Sequence, residues 1–68
     1  MTIFAERIKY LRVEKGCSQD VLAKELGVSN AIISLWEHGL REPTMSSLIA
    51  IAKYFQVSID YIVGLTDD

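Results

Sequence analysis

Cysteine, histidine and proline each occur once in this 68-residue chain, and the first two scarcities remove whole classes of protein. The single Cys17 closes no intramolecular disulfide, and Cys17 with His38 falls short of the four ligands of a structural zinc site. No metal and no cofactor are therefore expected. The same pair has no third group to orient it, which excludes a nucleophilic enzyme and leaves Cys17 as a small core residue. No run approaches the roughly 20 apolar residues of a membrane span, and the N-terminus lacks the basic-then-apolar build of a signal peptide. A reducing cytoplasm is the expected compartment, with no membrane partner.

Strand signals are missing too, and so is an excess of basic charge. The formal net charge is −2 and the sequence pI about 5.2, which taken alone argues against a nucleic-acid partner. The distribution along the chain changes that reading. Residues 1–24 carry Arg7, Lys9, Arg12, Lys15 and Lys24 against Glu6, Glu14 and Asp20, a balance of +2. Residues 42–68 carry Lys53 against Glu42, Asp60, Asp67 and Asp68, a balance of −3. One face can thus be locally basic while the molecule is acidic; scattered solvated charges are the plainer alternative.

What is present is apolar material, 50% of the residues, with 24% charged. That suits one small domain over residues 1–68, which buries only about 60% of its unfolded surface. Phe4, Ile8 and Leu11 make one stripe of a helix from about Ile3 to Lys15, ended by Gly16. Ser18 caps a second helix with Leu22, Ala23 and Leu26, ended by Gly27. Ser29 caps a third, with Ile33 and Trp36 turned inward and Gly39 closing it. After "GLREP", where Pro43 disfavours helix at Glu42, Thr44 caps a fourth carrying Leu48, Ile51, Ala52 and Phe55. Ser58 caps a short fifth with Ile62 inward, ended by Gly64, and the final "LTDD" is expected to fray. The fold class is all-α, with five short helices and tight joints.

Gln19, Ala23, Gly27, Ile33 and Trp36 stand at intervals of four, four, six and three. A small residue at 23 lets two helices cross steeply, and Gly27 takes the positive φ of a sharp turn. Val28, Ile33 and Trp36 root the next helix, leaving its other side outward. That is a helix-turn-helix over about 18–37, whose second helix can enter a major groove. Taking about 100° per residue, Ala31, Leu35 and His38 point away from Ile33 and Trp36, with Ser34 to one side. Apolar Ala31 and Leu35 can pack on thymine methyl groups, which predicts an A/T-containing half-site; Asn30 has the amide for adenine or phosphate.

From "RIKYLRVEKGCSQDVLAKELGVS" through "ISLWEHGLREP" to "LIAIAKYFQVSIDYIVGL", nearly the whole chain resembles the phage repressor and Cro type helix-turn-helix domains, also called the xenobiotic-response-element family. The resemblance implies a five-helix, lambda-repressor-like DNA-binding domain. Its implied activity is transcriptional regulation, as a repressor or activator that binds a two-fold symmetric operator as a homodimer. It places Gln19 at a backbone-contacting position that also reaches a base, and Ser29, Asn30, Ala31, Ser34 and Leu35 at the reading end of the third helix. His38 and Arg41 match positions that contact phosphate, Arg41 being the better suited because it stays charged and is bidentate. It further implies that Arg12 pairs with Glu37 beneath the recognition helix; the alternative is two ordinary surface charges. The third helix departs from the family pattern, which more often shows Arg, Gln or Lys at some of these positions. The close "VSIDYIVGLTDD" is similar to domains in regulators that often continue further, so the chain is a small regulator or a DNA-binding part of one.

Dimerisation follows from half-sites about 34–36 Å apart. Tyr54, Ile59, Tyr61, Val63 and Leu65 exceed what a small core needs and are the expected contact, unless they close the core instead. The competing reading of the chain is a protein-interaction module, an antirepressor or adaptor, that uses the apolar third helix as its docking patch.

Overall fold

Four of the helices begin in the same way, with a hydroxyl side chain accepting from the backbone N–H three residues on. Ser18 Oγ accepts from Val21 N at 3.2 Å, Ser29 Oγ from Ile32 N at 3.2 Å, Thr44 Oγ1 from Ser47 N at 3.1 Å and Ser58 Oγ from Tyr61 N at 3.0 Å. Each satisfies one of the donors a helix start leaves open, which is worth roughly 1 kcal/mol. The computed structural model describes residues 2–67, and within them α1 spans Thr2–Lys15, α2 Gln19–Leu26, α3 Asn30–Glu37, α4 Met45–Phe55 and α5 Ile59–Val63. All regular structure among the described residues is helical.

The helix ends differ more than their starts. α2 stops at Gly27, at φ 72°, where Val28 N reaches back to Ala23 O at 3.0 Å and closes the turn into α3. α4 stops at Gln56, which takes the left-handed region at φ 58° without being glycine. α3 ends at Glu37, with His38 as its cap and Gly39 taking the left-handed position one residue later.

Every helix contributes to one core: Phe4 and Ile8 from α1, Leu22 and Ala23 from α2, Ile33 and Trp36 from α3, Ile51 and Ala52 from α4, and Ile62 from α5. Phe4 meets Trp36 edge-on, with ring centroids 6.1 Å apart and planes at 78°. Half-buried Cys17, Leu26, Val28 and Ile32 pack around this cluster, so Ile32 extends the buried side of α3. No described helix is long and apolar enough to cross a membrane.

Part of the C-terminal segment expected to fray makes contacts with α1. The Arg7 guanidinium donates to Tyr61 O, to Thr66 O at 2.7 Å and to Asp67 Oδ1 at 3.4 Å, and it lies 4.3 Å from the Tyr61 ring centroid. Arg7 thereby bonds α1 to Thr66 and Asp67, and Asp68 lies outside the described residues. A free C-terminal carbonyl row needs donors, and an arginine fork on a neighbouring helix supplies them.

Candidate nucleic-acid interface

The site is built on a buried carboxylate. Glu37, at the last turn of α3, has a side chain only 3% exposed and accepts two hydrogen bonds from Arg12 of α1, from Nε at 2.6 Å and from Nη2 at 3.0 Å. Gln19, the first residue of α2, donates its Nε2 to the same carboxylate at 3.1 Å. Arg12 Nη1 also reaches Cys17 O at 3.0 Å, in the turn between α1 and α2. One acid thus joins three helices, and no buried side-chain polar atom among the described residues lacks a partner. The hydrogen bonding of Arg12 to Glu37, ahead of the charge of Glu37, holds the Arg12 pKa above its ordinary value although burial opposes it.

With Ile33 and Trp36 buried, the opposite side of α3 is the outer surface of the pair. Ser29, Asn30, Ala31 and His38 are exposed, while Ser34 and Leu35 are half-buried. Ala31 is therefore the more solvent-accessible of the two apolar residues, and Leu35 the less. His38 Nδ1 lies 2.7 Å from Ser34 O; a carbonyl accepts only, so Nδ1 carries the proton. Ser29 is engaged as the α3 cap, and its neighbour Asn30 is exposed one position into the helix.

Two of these side chains are held in ways the sequence does not show. Gln19 is turned onto Glu37, which leaves its second N–H and its carbonyl for any further partner. Asn30 Nδ2 donates to Asp20 Oδ1 of α2, ten residues earlier. An acid in the first turn of one helix and an amide in the first turn of the next become neighbours only through the turn at Gly27, so no local spacing announces them.

The charge balance of residues 1–24 is also redistributed by packing. Arg12 is committed to Glu37, Arg7 to the C-terminal carbonyls, and Lys15 Nζ sits 4.7 Å from the Tyr54 ring centroid. Lys9, Lys24 and Arg41 are exposed and make no ion pair among the described residues. Of the five cations of residues 1–24, Arg7 and Arg12 are thus engaged internally, while Lys9, Lys15 and Lys24 remain exposed.

Of the aromatic and apolar residues near the C-terminus, Tyr54, Ile59 and Tyr61 pack against the core, Val63 is half-buried and Leu65 is 78% exposed. Exposed Tyr10 and Val13 of α1, and Leu40 and Met45 flanking the α3–α4 connection, were not singled out by helical spacing, because it marks the inward stripe alone. Among the described residues no three His, Cys, Asp or Glu side chains are placed to hold a metal ion.

Comparison with known proteins places this arrangement. The profile of the family described as "Helix-turn-helix" matches residues 8–62. The chain is 43% identical over 61 residues to the HTH-type transcriptional activator BcrR of Enterococcus faecalis, covering 90% of this chain and 30% of that protein. It is 39% identical over 61 residues to Repressor protein C2 of Salmonella phage P22, covering 90% of this chain and 28% of the repressor. The chain therefore spans about a third of the length of these two relatives. The crystal structure of the P22 c2 repressor with a synthetic operator superposes with a TM-score of 0.85, covering 91% of this chain and 94% of that one. The chain belongs to the helix-turn-helix family of Cro/C1-type DNA-binding domains.

Proposed function

We propose that this chain is the DNA-binding part of a transcriptional repressor, and that α3 enters the major groove of a two-fold symmetric operator. The observation that carries the reading is the division of α3 between a buried side and an outward row. Ile33, Trp36 and Glu37 fasten the helix to the core and to Arg12, while Ala31 and Leu35 lie on the opposite side, Ser34 lies to one flank and Asn30 stands exposed at the helix start. A recognition helix needs both halves, because base contacts made by a loosely held helix discriminate poorly. The P22 repressor, 39% identical, was solved on an operator and adds support.

Within this reading Ala31, with Leu35 beside it, packs on thymine methyl groups, and Asn30 and Ser34 supply hydrogen-bonding discrimination. Arg41, His38 and the α2 start at Gln19 meet phosphates, which position the domain without reading sequence. Two copies bind half-sites about 34–36 Å apart, with Leu65 and Val63 as contact candidates. The compartment is the cytoplasm and the role is binding rather than catalysis.

The test is selection from a randomised duplex library at modest salt. A two-fold symmetric, A/T-containing motif whose affinity falls steeply with salt is the expected result. Folded protein that enriches no motif overturns the reading and favours a protein partner on α3.

A further inference from the structure

We propose that Asp20 is a positioning residue that makes Asn30 prefer adenine over guanine; the proposal rests on the groove-reading role given to α3 above. Asn30 Nδ2 donates to Asp20 Oδ1, and both exposed side chains lie at the rim of a surface concavity between α2 and α3 that Val21, Ala23, Lys24 and Val28 also line. A side-chain amide can turn end for end, and its two orientations present different faces to a base. A carboxylate accepts and never donates, so it binds only the nitrogen end of the amide.

The consequence is a restricted set of offers. With one N–H committed to Asp20, Asn30 has one N–H and one carbonyl left. That combination matches adenine, whose major-groove edge shows the N7 acceptor and the N6 amino donor. Guanine shows two acceptors, N7 and O6, and its O6 would face the Asn30 carbonyl. An unanchored amide escapes this by giving both N–H groups to guanine. Asp20 removes that escape.

Asp20 also places a negative charge in the first turn of α2, close to where phosphates would lie, and so weakens attraction to any duplex. In return it supplies discrimination that total charge does not. A purely structural role exists as well, since an acid in the first turn complements the helix dipole. That role moves thermal stability and leaves base preference untouched.

The experiment uses the selected operator and its variants carrying each base pair at every half-site position. Binding is measured for the wild type, Asp20→Ala, Asn30→Ala and the double variant, with melting temperatures alongside. Asp20→Ala is expected to reduce the adenine-over-guanine preference about tenfold at one position. Asn30→Ala removes the preference at that same position, and the double variant matches Asn30→Ala. An unchanged preference in Asp20→Ala, or an equal change when Asn30 is already Ala, overturns the proposal. Asn30→Ala that alters no base preference overturns it too while leaving operator binding by α3 standing. Absence of any selected motif overturns the groove reading and this proposal together.

Discussion

Arg12 and Glu37 are joined by two parallel hydrogen bonds across 25 residues of sequence, with side chains 14% and 3% exposed. Replacing either by Ala strands the other and is expected to destabilise the domain by about 3–5 kcal/mol, whereas the double replacement loses less than the two single losses added. Chemical denaturation of the three variants checks this. The sign of the pH dependence follows from the raised Arg12 pKa. The contribution of this guanidinium is fully present below its unfolded value and is lost only as pH rises through the raised folded value. The difference between wild type and Arg12→Ala should therefore stay flat from about pH 7 to 10.

Gly64 and Gly27 share a left-handed backbone but not a neighbourhood. A Cβ at Gly64 would fall 2.7 Å from Ile3 Cγ2, while one at Gly27 meets nothing within 4 Å. Gly27→Ala should lose about 1–2 kcal/mol from backbone strain alone, and Gly64→Ala should lose more. Thermal melts that reverse this order would show that Ile3 yields freely.

Thymine contact by Ala31 or Leu35 is tested on the DNA rather than on the protein. Replacing thymine by uracil in the selected operator deletes one methyl group and should weaken binding several-fold at one or two positions. Equal affinity at every position removes the apolar reading of α3.

Arg41 is exposed and unpaired by any acid among the described residues. Arg41→Ala should weaken binding to all duplexes by a similar factor and lower the slope of log K against log salt by about 1. A loss confined to one sequence would make Arg41 a base contact instead.

The parts of this molecule that obey local rules were legible in the sequence. Ser18, Ser29, Thr44 and Ser58 are caps because a hydroxyl one residue ahead of an apolar helical stripe has few other uses. Ile33 and Trp36 were readable as inward for the same reason of spacing. The end of α4 was less so, since Gln56 adopts a conformation its residue type does not announce. The fate of Arg7 and Lys15 was hidden as well. Both looked like surface cations, and only the return of the chain places Tyr61 and Tyr54 beside them. The Asn30–Asp20 contact is concealed in the same manner, for it exists only once two helices have been folded across Gly27.

Ser29 carries a consequence that its capping geometry does not exhaust. Aspartate would satisfy the Ile32 N–H about as well as serine does, so folding alone does not choose between them. A serine, however, leaves the positive end of the α3 dipole without a compensating charge. With α3 entering the groove as proposed, the uncharged cap keeps that end attractive to a polyanion. Ser29→Asp should therefore hold its melting temperature while losing DNA affinity, dividing at one side chain what the protein needs to stand from what it needs to bind.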